Sequence, residues 1–529
     1  MNESFRWFLI SGVLVGVAIT VACASSPTPT PTAQPPPTPT PTMAPTPTAT
    51  PVPVEPTVTP VTPVPAENLN SPQSIDGHWE GNVQVLGTEL QVAVDIVSND
   101  AGLTATIDIP QQGVNRLALK NVRYNPPEVQ FEIDFGQFSA AFEGKVLGET
   151  ISGEFQQSGV AGRFELERVE VIDESPPTSV PAQYREEEVT FQNGDITLAG
   201  TLTLPPGHGP HPAVVLITGS GPQDRDEDLY GFKIFGVIAD HLTRHGIAVL
   251  RYDDRGVGGS TGDVEQATSQ DFAGDVVAAV DLLRARHDIN GSQIGLLGHS
   301  EGGIVAPLAA LESDDVSFII LMAGTGVPGH QILQAQLELI SPTEGLSEAE
   351  IAERRKVQER SFEAARTSEG FAELEADLRQ QILKSLKNLS EEERQAITDM
   401  DQLVEDRVQL TLRALQTPWF KFFLDYDPAA TLEQVTVPVL AVFGKLDWQV
   451  PADINRPAIR HALEIAGNRD VTAVTLPRAN HLFQEAETGS SSEYATLDKE
   501  FVPGFLELIT GWILDRVEVT GGVAQDTVE

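Results

Sequence analysis

The run Ile294-Gly295-Leu296-Leu297-Gly298-His299-Ser300-Glu301-Gly302-Gly303 limits what this chain can fold into more than any other stretch. An apolar segment with strand character ends in Gly-x-Ser-x-Gly, and a helical pattern from Ile304 to Leu311 follows at once. A residue held between strand and helix by so little chain sits on a tight, strained turn. Small neighbours on either side let the two backbones cross closely, so the side chain at the apex stands clear of the main chain. That geometry suits a nucleophile, and Ser300 is the candidate.

A serine hydroxyl is a weak nucleophile near neutral pH. It needs a base to take its proton and a group behind the base to orient it. His481 is the candidate base, in the loop Pro477-Arg478-Ala479-Asn480-His481 after the last expected strand. His299 adjoins the serine, but its side chain should diverge at the turn. Asp447 is the candidate orienting group, just past a buried strand in Phe443-Gly444-Lys445-Leu446-Asp447. Asp425 and Asp427 precede that strand, and Asp453 fits the N-cap of the next helix. The order Ser, Asp, His is the one expected of an α/β-hydrolase.

A tetrahedral intermediate also needs two backbone N–H donors. The residue after the nucleophile, Glu301, is one. The other is expected in the loop Thr218-Gly219-Ser220-Gly221-Pro222, from Ser220 or, alternatively, Gly221; Pro222 has no N–H. The glycine-rich loop Asp253 to Ser260 lacks both the Walker lysine and Rossmann spacing, so it is read as a charged loop bracing the site.

The rest of the chain divides by rhythm. Phe8 to Ala22 is an apolar run behind a short head, which has signal-peptide architecture. Residues 1–22 are therefore expected to be a signal peptide. Thr20-Val21-Ala22-Cys23 resembles a bacterial lipobox, so Cys23 is the candidate lipidation site and a membrane lipid anchor is expected. A plain secretory signal or an uncleaved anchor is the alternative. Residues 23–72 are expected to be a stalk, because from Pro27 to Pro65 they are almost all Pro, Thr, Val and Ala, a composition that cannot pack a core. Such a stalk reaches on the order of 100 Å at about 3.1 Å per residue. It would tether a cell-surface enzyme.

From 73 to 171, about eight short alternating runs separated by turn-formers suggest an all-β antiparallel barrel or sandwich. Its aromatics, Trp79, Phe131, Phe135, Phe142 and Phe155, are expected in its core. A linker at 172–184 leads into alternating strands and helices over 185–329 and again over 426–517, the pattern of a mostly parallel sheet with helices on both faces. Between these parts, 330–425 is a charge-rich helical insertion placed as a lid. Ser347-Glu348-Ala349-Glu350 and Ser390-Glu391-Glu392-Glu393 look like capping boxes, the second opening a helix from Ser390 to Gln416. A tail occupies 518–529.

Composition narrows the partners. A net charge of -42 and a pI near 4.4 argue against nucleic acid or an anionic bilayer surface. Cys23 is the single cysteine, so no internal disulfide can form and no thiolate metal site is expected.

Together these segments resemble the secreted esterase branch of the bacterial α/β-hydrolases, grouped with serine-aminopeptidase-like proteins. The carriers are Gly219-Ser220-Gly221-Pro222-Gln223-Asp224-Arg225, the loop at Asp253 to Ser260, the Ser300 elbow, Pro418-Trp419-Phe420 running into Tyr426-Asp427-Pro428, and the Asp447 and His481 segments. The resemblance covers roughly Glu187 to Arg516. It implies hydrolysis of a small-molecule carboxylic ester through an acyl-enzyme, with no metal or organic cofactor. The same machinery would serve an aminopeptidase or a thioesterase, with Glu301 or acidic lid residues holding a substrate amine. A non-catalytic ligand-binding lipoprotein is the third possibility.

Overall fold

The structure, a computed structural model, describes residues 74–519 apart from 87, 100–101, 110–113, 135–138, 170–183, 344, 388 and 390. The expected signal peptide, Cys23, the stalk, Phe135 and Ser390 lie outside the described residues, as do most of the linker and of the tail. Among the described residues no helix is long and apolar enough to cross a membrane.

The first part is one antiparallel sheet of nine strands. They are β1 (Gly77–Val85), β2 (Thr88–Asn99), β3 (Gly102–Ile109), β4 (Val114–Ala118) and β5 (Lys120–Asn125). There follow β6 (Glu128–Asp134), β7 (Ser139–Leu147), β8 (Thr150–Gln157) and β9 (Val160–Val169). Their order is β4-β3-β2-β1-β9-β8-β7-β6-β5. Alternate residues such as Val92, Val94 and Ile96 are buried, as the two-residue strand period requires. The sequence left barrel and sandwich open. The single sheet curls into a nearly closed barrel, and the Leu119 amide bonds the Ala105 carbonyl at 2.8 Å to bring its two ends together. Trp79, Phe131, Phe142 and Phe155 lie in its core, as expected.

The second part is an eight-stranded sheet ordered β10-β11-β15-β12-β16-β17-β18-β19. It opens on the hairpin β10 (Arg185–Asn193) and β11 (Ile196–Leu204), then β12 (His211–Ile217). A short hairpin, β13 (Asp228–Leu229) and β14 (Phe232–Lys233), precedes helix α1 (Ile234–Arg244) and β15 (Ala248–Tyr252). Next come α2 (Ser269–Arg284), β16 (Ile289–His299), α3 (Gly302–Glu312) and β17 (Val316–Met322). Strands β15, β12, β16, β17, β18 (Val439–Gly444) and β19 (Val471–Leu476) run parallel. Such strands are covered on both faces, which is why β12 reads as an unbroken apolar run. Ala213, Val215 and Ile217 pack on one side with α2 and α3. Val214 and Leu216 pack on the other with α1 and the closing helix α12 (Phe505–Leu514). Strand order reverses about β12, so the loops after β12 and β16 part there, at the edge where such sheets build sites.

The insertion is helical, as expected: α4 (Gly329–Ile340), α5 (Glu348–Thr367), α6 (Phe371–Leu386), α7 (Glu391–Gln395), α8 (Met400–Ala414) and α9 (Pro418–Asp425). Ser347 and Glu350 form the expected capping box on α5. The single helix expected over Ser390 to Gln416 is two helices. Between them Ile397 bridges Val160 of the barrel, and the amides of Thr398 and Asp399 bond the Gly159 carbonyl at 2.7 and 2.8 Å. That partner competes with the helix for the same backbone groups. Short α10 (Pro428–Leu432) leads back to the sheet, and α11 (Ala452–Ile465) joins β18 to β19.

Candidate active site

The elbow forms where β16 meets α3. A Cβ at Gly298 would overlap the Gly302 carbonyl, and one at Gly302 would overlap the Ile217 carbonyl, so both flanking positions need glycine. Ser300 takes φ +54, in the left-handed region that a residue with a side chain seldom adopts. Its amide bonds the Met322 carbonyl at 2.9 Å, which anchors the turn to β17. Among the described residues the amides of Glu301 and Gly302 have no intrahelical partner, as befits the first turn of α3.

Asp447 follows β18 and is buried. Its Oδ1 accepts the amides of Gln449 and Val450, each at 2.8 Å, and its Oδ2 lies 2.9 Å from His481 Nδ1. A carboxylate oxygen facing Nδ1 fixes the tautomer and turns the other ring nitrogen outward. Ser300, Asp447 and His481 thus all lie at the carboxyl edge of the sheet. Among the described residues no hydrogen bond joins Ser300 Oγ to His481.

The rival acids lie elsewhere. Asp425 pairs with Arg366 at 2.6 Å, and Asp427 caps α10 through the Ala429 amide. Asp453 is not an N-cap, as the sequence suggested. It lies in the first turn of α11, behind Pro451, and pairs with Lys445 at 2.9 Å.

The turn after β12 faces the elbow. A Cβ at Gly219 would sit 3.3 Å from Ser300 Cβ. The Gly219 amide bonds Glu227 Oε1 at 2.7 Å, whereas the Ser220 and Gly221 amides have no partner among the described residues. The loop after β15 braces this turn, as read from sequence. Asp254 accepts Thr218 Oγ1 at 2.8 Å and the Gln223 amide at 2.9 Å. Asp253 holds Arg225 through Nε and Nη2 at 3.0 and 2.8 Å.

Glu301 points its side chain inward. Its Oε1 accepts Ser269 Oγ at 2.6 Å and Trp419 Nε1 at 2.7 Å. Burial raises its pKa against the pull of these donors. The indole joins lid helix α9 to the elbow and stacks on Phe423 at 5.0 Å. Gln336 of α4 reaches the Gln449 carbonyl at 2.8 Å, joining the lid to the Asp447 loop as well.

Sequence reasoning set His299 aside and missed Glu227. The ring of His299 does diverge from Ser300, but it runs to Glu227 Oε1 at 2.8 Å and to the His481 carbonyl at 3.1 Å. A histidine beside the candidate nucleophile was the available signal; nothing local marks Glu227.

Residues 232–487 match the family model described as serine aminopeptidase, S33. With the sheet order and the elbow, that match decides the fold. The second part has the α/β-hydrolase fold. Esterase EstD of Thermotoga maritima is 26% identical over 366 residues, spanning 69% of this chain and 75% of its own. The 2,6-dihydropseudooxynicotine hydrolase of Paenarthrobacter nicotinovorans is 30% identical over 142 residues, 26% of this chain and 34% of its own. Among solved structures, an esterase of Pyrococcus furiosus is similar with a TM-score of 0.39 at 14% identity, covering 66% of this chain and 96% of its own.

Proposed function

We propose that this chain hydrolyses small-molecule carboxylic esters through an acyl-enzyme on Ser300. His481 Nε2 takes the hydroxyl proton as Ser300 Oγ attacks the ester carbonyl carbon, and returns it to the departing alcohol. Water then attacks the acyl-enzyme with the same base. Asp447 keeps His481 Nδ1 protonated and steadies the imidazolium that forms in each step. The amides of Glu301 and Ser220 receive the developing oxyanion. The observation that carries this reading is the buried Asp447–His481 pair at 2.9 Å, on the sheet edge that also bears the strained Ser300 turn.

The aminopeptidase alternative asked Glu301 or acidic lid residues to hold a substrate amine. Of these, Glu301 adjoins Ser300, and its carboxylate is already engaged by Ser269 and Trp419, which favours the ester. The test is Ser300→Ala assayed on p-nitrophenyl acetate and with a fluorophosphonate probe. Loss of about 10³-fold or more in kcat, with loss of labelling, is expected. Hydrolysis at the wild-type rate would refute the proposal.

A further inference from the structure

Behind Ser300 lies a second imidazole–carboxylate pair that the mechanism above does not use. The side chains of His299 and Glu227 are each 1% exposed. The pair touches three separate loops. His299 ends the strand that carries the elbow. Its Nε2 meets the His481 carbonyl at 3.1 Å, and its Nδ1 meets Glu227 Oε1 at 2.8 Å. That same carboxylate oxygen accepts the Gly219 amide at 2.7 Å. The rings of His299 and His481 lie 4.8 Å apart.

Counting protons shows what the arrangement requires. A carbonyl oxygen only accepts, so His299 Nε2 must carry a proton. Satisfying Nδ1 against a carboxylate then needs a second proton on the ring. Burial works against that charge, but Glu227 beside it outweighs burial, with Asp447 adding in the same direction, and the pKa of His299 is raised. An imidazolium facing a carboxylate makes all three bonds at once.

The pair is held at some expense to the fold. Glu227 takes φ +46, and its Oε2 is buried without a hydrogen-bond partner among the described residues. Backbone strain of this kind persists only where the surroundings enforce it, and it gathers at functional sites.

We infer that His299 and Glu227 are positioning residues. Their ion pair fastens the amide turn at Gly219 and the base loop at His481 to the elbow. The spacing of Ser300, the Ser220 amide and His481 is thereby kept through both chemical steps. The inference rests on the proposed Ser300–His481 chemistry.

Glu227→Gln tests it with little change of shape. The glutamine oxygen can still accept the Gly219 amide. A neutral His299 has one proton to give, either to that oxygen or to the His481 carbonyl. One fastening is lost. The folded variant should lose about 10- to 100-fold in kcat on p-nitrophenyl acetate, the scale of a small misplacement. KM should stay within about threefold, since substrate binding is untouched. A His299→Gln/Glu227→Gln double variant should be no slower than the slower single, because the two act as one unit. A kcat within about twofold of wild type, a loss confined to KM, or additive losses would overturn the assignment. Should Glu227→Gln not fold, His299→Gln alone carries the same kcat and KM measurement with the same deciding outcomes. Ser300→Ala run alongside separates the two proposals. If it keeps its activity, the underlying chemistry is wrong; if it is dead while the other variants run at the wild-type rate, only the positioning role fails.

Discussion

Arg225 illustrates how single side chains hold the site's walls. Its guanidinium makes two hydrogen bonds to Asp253 and a further contact with Glu188 at 2.6 Å. Burial would raise the pKa of Asp253, but Arg225 and the Gly259 amide overcome it and leave that pKa below the usual 3.8. A depressed carboxyl stabilises the fold above its unfolded value, and that contribution fades as pH falls through the folded value. Arg225→Met removes the partner and strands a buried carboxylate, a change that costs about 3–5 kcal/mol when the charge is fully buried and less where water screens it. The melting temperature should therefore fall, most at neutral pH. The gap from wild type should narrow as pH drops below 3.8 and Asp253 protonates in both proteins. Thermal unfolding across acidic to neutral pH checks this; a gap of constant width would mean that Arg225 acts by packing alone. Ser300, Asp447 and His481 could be named as candidates beforehand because each sits at a recognisable punctuation of the strand–helix rhythm. Glu227 could not, because its partner lies 72 positions away and only the folded sheet brings them together.

Among the elements, the insertion shows where local pattern stops being informative. Capping chemistry located the start of α5 at Ser347. The stretch after Ser390 read as one helix because its residues suit one, yet it breaks where the barrel's β8–β9 turn pairs with residues 396–399. Leu86 and Val160 from the barrel complete the lid's own apolar cluster, which also contains Trp419. The contact is thus continuous from barrel through lid to Glu301. Gly159 is the tightest point of the seam. It takes φ +76, and a Cβ there would overlap the Asp399 carbonyl. Gly159→Ala should strain the turn and loosen this seam, with a cost of about 1–3 kcal/mol. Hydrogen exchange should speed up at the amides of Ala161, Thr398 and Asp399 while the β12 and β16 amides stay protected. Unchanged exchange at all three would show that the seam does not hold the lid.

At the scale of the molecule, alternation in sequence told the β unit from the α/β unit but could not choose barrel over sandwich, because closure depends on pairing between strands far apart in the chain. Charge, by contrast, needs no fold to be read. A net charge of -42 sets up a field that attracts cationic ligands and repels anionic ones. Salt weakens such a field steeply: the screening length is about 10 Å at 0.1 M ionic strength and about 3 Å at 1 M. Two esters with the same acyl group, one with a cationic and one with an anionic leaving alcohol, should therefore differ in kcat/KM at low salt, the cationic one being favoured by as much as about tenfold where encounter limits the rate. Raising the ionic strength should lower the first value, raise the second and bring their ratio toward a plateau fixed by contacts inside the site. A neutral ester with the same acyl group corrects for any effect of salt on the chemistry itself. If the ratio were indifferent to salt, the acidic surface would have no part in delivering substrate, and selectivity would lie with the lid and the elbow alone.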